Sequence, residues 1–205
     1  MLWSTLSAQI RRELEEPSEA IFSEDSLLFW ANESARDIAT RAKCIRDWLT
    51  AACVVGQEEY AVPSGSLEVI AVFCGSDTDD NRRRLMRQEV TEWGSLDVAN
   101  GRPAYYAIDD AYIYLRPAPD AAYELAFQRY ALPTEMAEDT DTVPFDARYN
   151  TALSYYIRAK AMEQISDWQA ADALLGRYNA EVDKIITQEG HQANAARSAS
   201  VTSVY

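Results

Sequence analysis

Apolar residues recur at three- and four-residue steps near both ends of the chain and at two-residue steps in the middle. Trp3, Leu6, Ile10 and Leu14 fall on one helical face and predict a helix over residues 3–15, stopped by Pro17. Ser23 is a good N-cap for a second helix. Glu24 and Asp25 suit its positive end, and Phe22 can staple to Leu27. Leu27, Ala31, Ile38, Ala42 and Ile45 form its stripe, with Trp30 beside them, and the helix is expected to end around Asp47.

The period then changes. Residues 48–55 (WLTAACVV) are short, apolar and partly β-branched. A turn at Gly56-Gln57 leads to Tyr60-Ala61-Val62 and the breakers Pro63 to Ser66. Residues 67–73 (LEVIAVF) carry the strongest strand signal in the chain. An acidic loop with Asp77, Asp79 and Asp80 follows, and residues 82–90 fit either an exposed strand or a short helix. Residues 104–108 (AYYAI) and 111–115 (AYIYL) flank Asp109-Asp110 as a hairpin, and 122–130 (AYELAFQRY) alternate as a further strand. Acidic residues dominate from Glu135 to Asp141, before Pro144.

Helical spacing returns over 146–164, where Tyr149, Leu153, Tyr156, Ala159, Lys160 and Met162 lie near one side. Ser166 is the expected N-cap of a last helix with the stripe Trp168, Ala171, Leu175, Tyr178, Val182 and Ile185, ended by Gly190. Residues 191–205 lack periodicity and read as an extended tail. Neither amphipathic helix pair can hide its stripe alone. The expected fold is therefore α+β: an antiparallel bundle of two N-terminal and two C-terminal helices with an inserted β-rich domain and an extended C-terminal tail. The expected domains are 1–47 plus 145–190, the insertion 48–144, and the tail 191–205. Strand–helix alternation is missing, which disfavours Rossmann and TIM architectures.

Composition narrows the function. The 205 residues include 33 acidic and 19 basic side chains, for a net charge of −14. Such a surface repels phosphate backbones, so electrostatic wrapping of DNA is not expected. Residues 1–14 lack the apolar core of a signal peptide, and no apolar run approaches the ~20 residues of a membrane span. Cys44, Cys53 and Cys74 form no C-x-x-C pair and are expected as reduced, buried thiols of a soluble, intracellular protein.

The sequence carries little reactive chemistry. The single histidine, His191, lies in the polar tail, so a multi-histidine metal site is impossible. Seven glycines form neither a dinucleotide-binding nor a Walker A motif. The carboxylate pairs Glu58-Glu59, Asp79-Asp80 and Asp109-Asp110 sit in expected turns, where solvation explains them. Asp139 and Asp141, with Asp146 beyond, lack the glycine and final glutamate of an EF-hand loop and read as a solvated linker. No catalytic residue, metal ligand or cofactor is expected. Arg82, Arg83, Arg84 and Arg87 form the one dense basic cluster, suited to an acidic partner or to protecting an edge strand. Of the twelve tyrosines, Tyr105, Tyr106, Tyr112, Tyr114, Tyr123 and Tyr130 fall in the β segment and divide between core and interface. This profile suits an assembly component.

The chain resembles the head–tail connector or adaptor proteins of tailed bacteriophages. The likeness runs in order through Phe22-Ser23-Glu24-Asp25, Leu27 to Ser34, Gly56 to Pro63, Gly101 to Tyr106, Leu115 to Asp120, and Tyr130 ahead of Leu132-Pro133. It implies a homo-oligomer, commonly a dodecameric ring, in the virion neck beneath the portal, assembled in the host cytoplasm. Helical bundles would pack side by side. The C-terminal segment, with His191, Arg197, Val201, Val204 and Tyr205, would reach the portal protein. The β insertion would face the next tail, stopper or nozzle protein. DNA would pass without specific binding, and no membrane is involved. The charge agrees: an acidic lumen repels phosphate within a Debye length of ~8 Å. The arginines at 82–84 are then expected on an outer or intersubunit surface. The competing readings are a monomeric protein-binding or assembly-regulating module, and a carboxylate hydrolase, which would need two carboxyls converging in a cleft.

Overall fold

The computed structural model describes residues 1–16, 21–75, 82–95 and 99–202; at residues 92, 94, 95 and 191–202 it describes the backbone alone. The described residues form a mixed α and β structure, with four α-helices and two four-stranded sheets among them. It divides into two compact units, Met1–Ile45 with Leu132–Tyr205, and Arg46–Ala131.

The first unit holds α1 (Trp3–Glu13), α2 (Glu24–Ala42), α3 (Asn150–Gln164) and α4 (Trp168–Thr202). Trp3, Leu6, Ile10, Leu27, Ile38, Leu153, Ile157, Tyr178 and Val182 meet in its core. Ser23 caps α2, accepting the Ser26 amide on its side chain, and Phe22 and Leu27 share the core as the staple pattern predicts. α2 ends earlier than the expected Asp47. Lys43 adopts the left-handed conformation that closes the helix, and Arg46 already pairs in a strand.

Three further expectations change in this unit. Ser166 takes a left-handed φ of 64°, and Asp167 caps α4 instead, accepting the Ala170 amide at 3.1 Å. Trp168 lies outside the buried stripe at 63 % exposure, because the first buried position of α4 is Ala171, one turn later. The extended tail is a correction as well: α4 runs through Gly190 to Thr202. One exposed glycine costs only about 1 kcal/mol, and the alanines at 193, 195, 196 and 199 have the highest helix propensity.

Residues 132–144, expected with the β insertion, belong to this unit. The Trp3 amide donates to the Asp141 carbonyl at 2.8 Å and the Val143 amide to the Met1 carbonyl at 2.9 Å. Asn32 adds a two-way clamp on the Met136 backbone at 2.8 and 2.9 Å. The Trp3 amide, and the Ser4 amide that donates to the Asp139 carbonyl at 3.2 Å, are opening amides of α1, so the segment takes the place of an N-cap side chain.

Glu13 ties α1 to α3. Partial burial pushes its carboxyl up, but hydrogen bonds from Gln9 and Ser154 and the Arg158 guanidinium together hold it below the usual value. A depressed carboxyl contributes stability above its unfolded value, lost as pH falls through the folded one. Glu13→Gln is expected to cost about 1 kcal/mol at pH 7 and to match the wild type near pH 2. Urea melts at both values check this, and an equal cost at both would contradict it.

The second unit holds β1 (Arg46–Ala52), β2 (Glu59–Ala61), β3 (Ser66–Cys74), β4 (Arg83–Arg84), β5 (Met86–Arg87), β6 (Tyr105–Asp109), β7 (Tyr112–Arg116) and β8 (Glu124–Ala131). One sheet has the order β1-β8-β3-β4 and the other β2-β7-β6-β5. Val69, Val72, Leu125 and Phe127 of the first and Tyr106, Ile113 and Leu115 of the second enter one core, a register shift between Val69 and Ala71 keeping both valines on the inner face. β6 and β7 form the expected hairpin, with Asp110 left-handed at φ 50° in its turn. Residues 82–90 resolve into the two short strands β4 and β5, and a 3-10 turn follows over Val90–Ser95.

Candidate functional site

In the helical unit a groove of about 480 Å³ lies between α2 and α4. Its polar groups are already engaged. The Tyr178 hydroxyl donates to Asp37, and Arg41 donates to Asn179 at 3.0 Å. Burial, then a hydrogen bond to a carboxylate (Asp37 for Tyr178, Glu33 for Tyr156), pushes both hydroxyls well above the usual tyrosine range, so both stay protonated donors. The groove braces α2 against α4 rather than presenting reactive groups.

The more telling surface is apolar. Phe29 is 66 % exposed, Ile21 55 % and Ile165 48 %, and Trp168, three residues after Ile165 at the start of α4, is exposed as well. Gln164 links Ile21 to Phe29: its side chain donates to the Ile21 carbonyl at 3.3 Å, and it lines one depression with Phe29 and Trp30. Behind this end, Phe22 and Trp30 pack edge to face at 6.4 Å. Large exposed aromatic and aliphatic side chains grouped this way mark a surface that a protein partner covers. Periodicity points past these residues. Phe29 sits off the Leu27–Ala31 stripe, and Ile21 and Ile165 lie outside helices. An apolar residue off-stripe or in a turn was the available signal.

The basic cluster lies in the β unit. Arg83 and Arg84 are exposed on β4, an edge strand, and Arg87 on β5, the edge of the other sheet. The Arg82 guanidinium stacks over Trp48 at 4.6 Å and Phe73 at 5.0 Å. Tyr106 is buried and Tyr112 exposed, while Tyr105, Tyr114, Tyr123 and Tyr130 are half-buried.

Asp139 and Asp141 lie in the helical unit. Asp141 accepts the amides of Ala137 and Glu138 at 2.6 and 2.9 Å, which hold its carboxyl below the usual range. It is a turn-forming residue. Asp77, Asp79, Asp80, Val204 and Tyr205 lie outside the described residues, and His191, Arg197 and Val201 fall on the backbone of α4. Among the described residues no group of three or more His, Cys, Asp or Glu side chains could hold a metal. No described helix is long and apolar enough to cross a membrane.

Cys53 and Cys74 are buried and hydrogen-bonded to each other. Cys53 is pushed up by that bond and by burial. Cys74 is lowered to about 7 by the Cys53 thiol and Arg102. Cys44 is pushed up to about 11 by burial and by Glu189.

Compared with known proteins, the family described as SU10 adaptor protein matches residues 1–203. No curated protein matches the chain.

Proposed function

The chain belongs to the SU10 adaptor protein family, the phage head–tail adaptors, and on that premise we propose that copies of it form a ring beneath the portal that joins capsid to tail and lets DNA pass. As a phage adaptor its role is structural, in the virion. The match over residues 1–203 is the observation that carries the reading. Three physical features support it. The apolar end at Phe29 and Trp168 suits helical units packed side by side against the next copy. The net charge of −14 suits a passage that must not hold phosphate. The long α4 offers a rod whose last turns can reach a neighbouring ring.

The C-terminal segment, with His191, Arg197, Val201, Val204 and Tyr205, would contact the portal, and the β unit the next tail protein. A chain ending at Gly190 keeps the Arg148–Glu189 pair and the buried stripe of α4. It is expected to fold, with its thermal melt retained and its helical circular dichroism reduced only by the turns of α4 that are removed, and to lose attachment to portal rings in a pull-down. Full attachment of the truncated chain would overturn the portal role of this segment.

A further inference from the structure

Pleating separates the two faces of the sheet β1-β8-β3-β4. Leu49, Leu125, Phe127, Val72 and Cys74 turn into the core. The register places Arg46 opposite Tyr130, Trp48 opposite Gln128, and Phe73 opposite Arg84, all on the other face. Arg46 stacks over Tyr130 at 5.7 Å, Arg82 lies over both Trp48 and Phe73, and the Trp48 and Phe73 rings pack with centroids 5.3 Å apart. Tryptophan, tyrosine and arginine are the residue types that dominate binding energy at protein interfaces. Trp48 remains 45 % exposed. Among the described residues, Arg46 and Arg84 have no ion-pair partner. In a chain of net charge −14, two exposed guanidinium groups without an ion-pair partner among the described residues stand out on this aromatic face, which also carries Glu68 opposite Tyr130.

The complementary surface is on the same chain. The segment 135–141 carries four carboxylates, and its residues 137–140 are all exposed. Glu135 is taken by Arg36 and Asp141 by its own turn. Glu138 and Asp139 have no ion-pair partner among the described residues. Hydrogen bonds from Ser4 and Trp3 to the backbone at 139 and 141 hold the segment in one shape, so little ordering entropy opposes docking.

We propose that the face formed by Arg46, Trp48, Phe73, Arg82, Arg84 and Tyr130 docks the Glu138–Asp139 segment of a second copy of this chain. The contact is heterologous, face of one copy to segment of the next, and so propagates around a ring. The inference rests on the ring reading above and names one seam within it.

The test is a charge swap read by native mass spectrometry, on each protein alone and after mixing with portal rings. Arg46→Glu/Arg84→Glu and Glu138→Arg/Asp139→Arg change exposed positions, and circular dichroism checks that both variants fold. Each alone is expected to lose ring assembly by tenfold or more. An equimolar mixture is expected to restore it, because each reversed face then meets a reversed segment. Rings from either variant alone at wild-type yield would overturn the inference while leaving the adaptor reading intact. Loss in both without rescue on mixing would also overturn it. So would unchanged rings combined with weakened DNA retention by Arg46→Glu/Arg84→Glu, which would assign the face to phosphate. If the wild type itself forms no ring, alone or on portal, the ring reading fails and this seam with it.

Discussion

Arg11→Ala is expected to destabilise the helical unit by about 3–5 kcal/mol, the range for removing one partner of a buried ion pair. Arg11 is 7 % exposed. Its guanidinium donates to Glu16 at 3.0 Å, to the Phe22 carbonyl at 2.9 Å and to Glu24 at 2.9 Å. The pair thereby fastens the end of α1 to the start of α2. Glu16 is itself 6 % exposed and accepts the Ile21 amide at 3.2 Å, so removing Arg11 strands a carboxylate in the interior. By contrast, the Arg36–Glu135 pair is exposed on both sides and is worth at most about 1 kcal/mol. Arg11→Met/Glu16→Leu, which removes both buried charges, is expected to recover most of the loss. Thermal melts of the three proteins decide the matter. A drop below roughly 1 kcal/mol for Arg11→Ala would show that water reaches the cluster.

Phe29→Glu/Trp168→Glu carries the second large effect, on assembly rather than on folding. Both side chains are about two-thirds exposed, so the fold should change by no more than about 0.5 kcal/mol. Interface anchors of this type contribute about 2 kcal/mol or more each, so two charges placed there should weaken assembly by a hundredfold or more. Sedimentation velocity across a concentration series, with and without portal rings, measures it. Assembly at wild-type concentrations would show that this end is not covered in the neck.

The periodic parts of the sequence were legible because burial enforces them. The stripe Trp3–Leu6–Ile10 and the run 67–73 each have one low-energy way to hide their apolar atoms, and both appear as expected. Local capping was less legible. Ser166 and Asp167 are adjacent and equally good caps, and the left-handed turn at Ser166 decides between them. Segment 132–144 has no periodicity, and its membership of the helical unit rests on backbone bonds to Met1, Trp3 and Ser4 that no local pattern encodes. The arginine cluster was legible as a cluster. Its stacking on Trp48 and Phe73 required the β3–β8–β1 register, which only the folded sheet supplies. The apolar end at Phe29 and Trp168 was misread in one member, since Trp168 fits the helical stripe by spacing yet lies one turn beyond its end.

The central claim is that this chain is a structural adaptor that assembles on the portal. Its most direct test is the native mass of portal rings before and after mixing with the purified protein. The account predicts a rise equal to one complete ring of this chain, with no intermediate masses at saturation. A portal mass that stays unchanged, with the protein remaining monomeric beside it, would contradict the account.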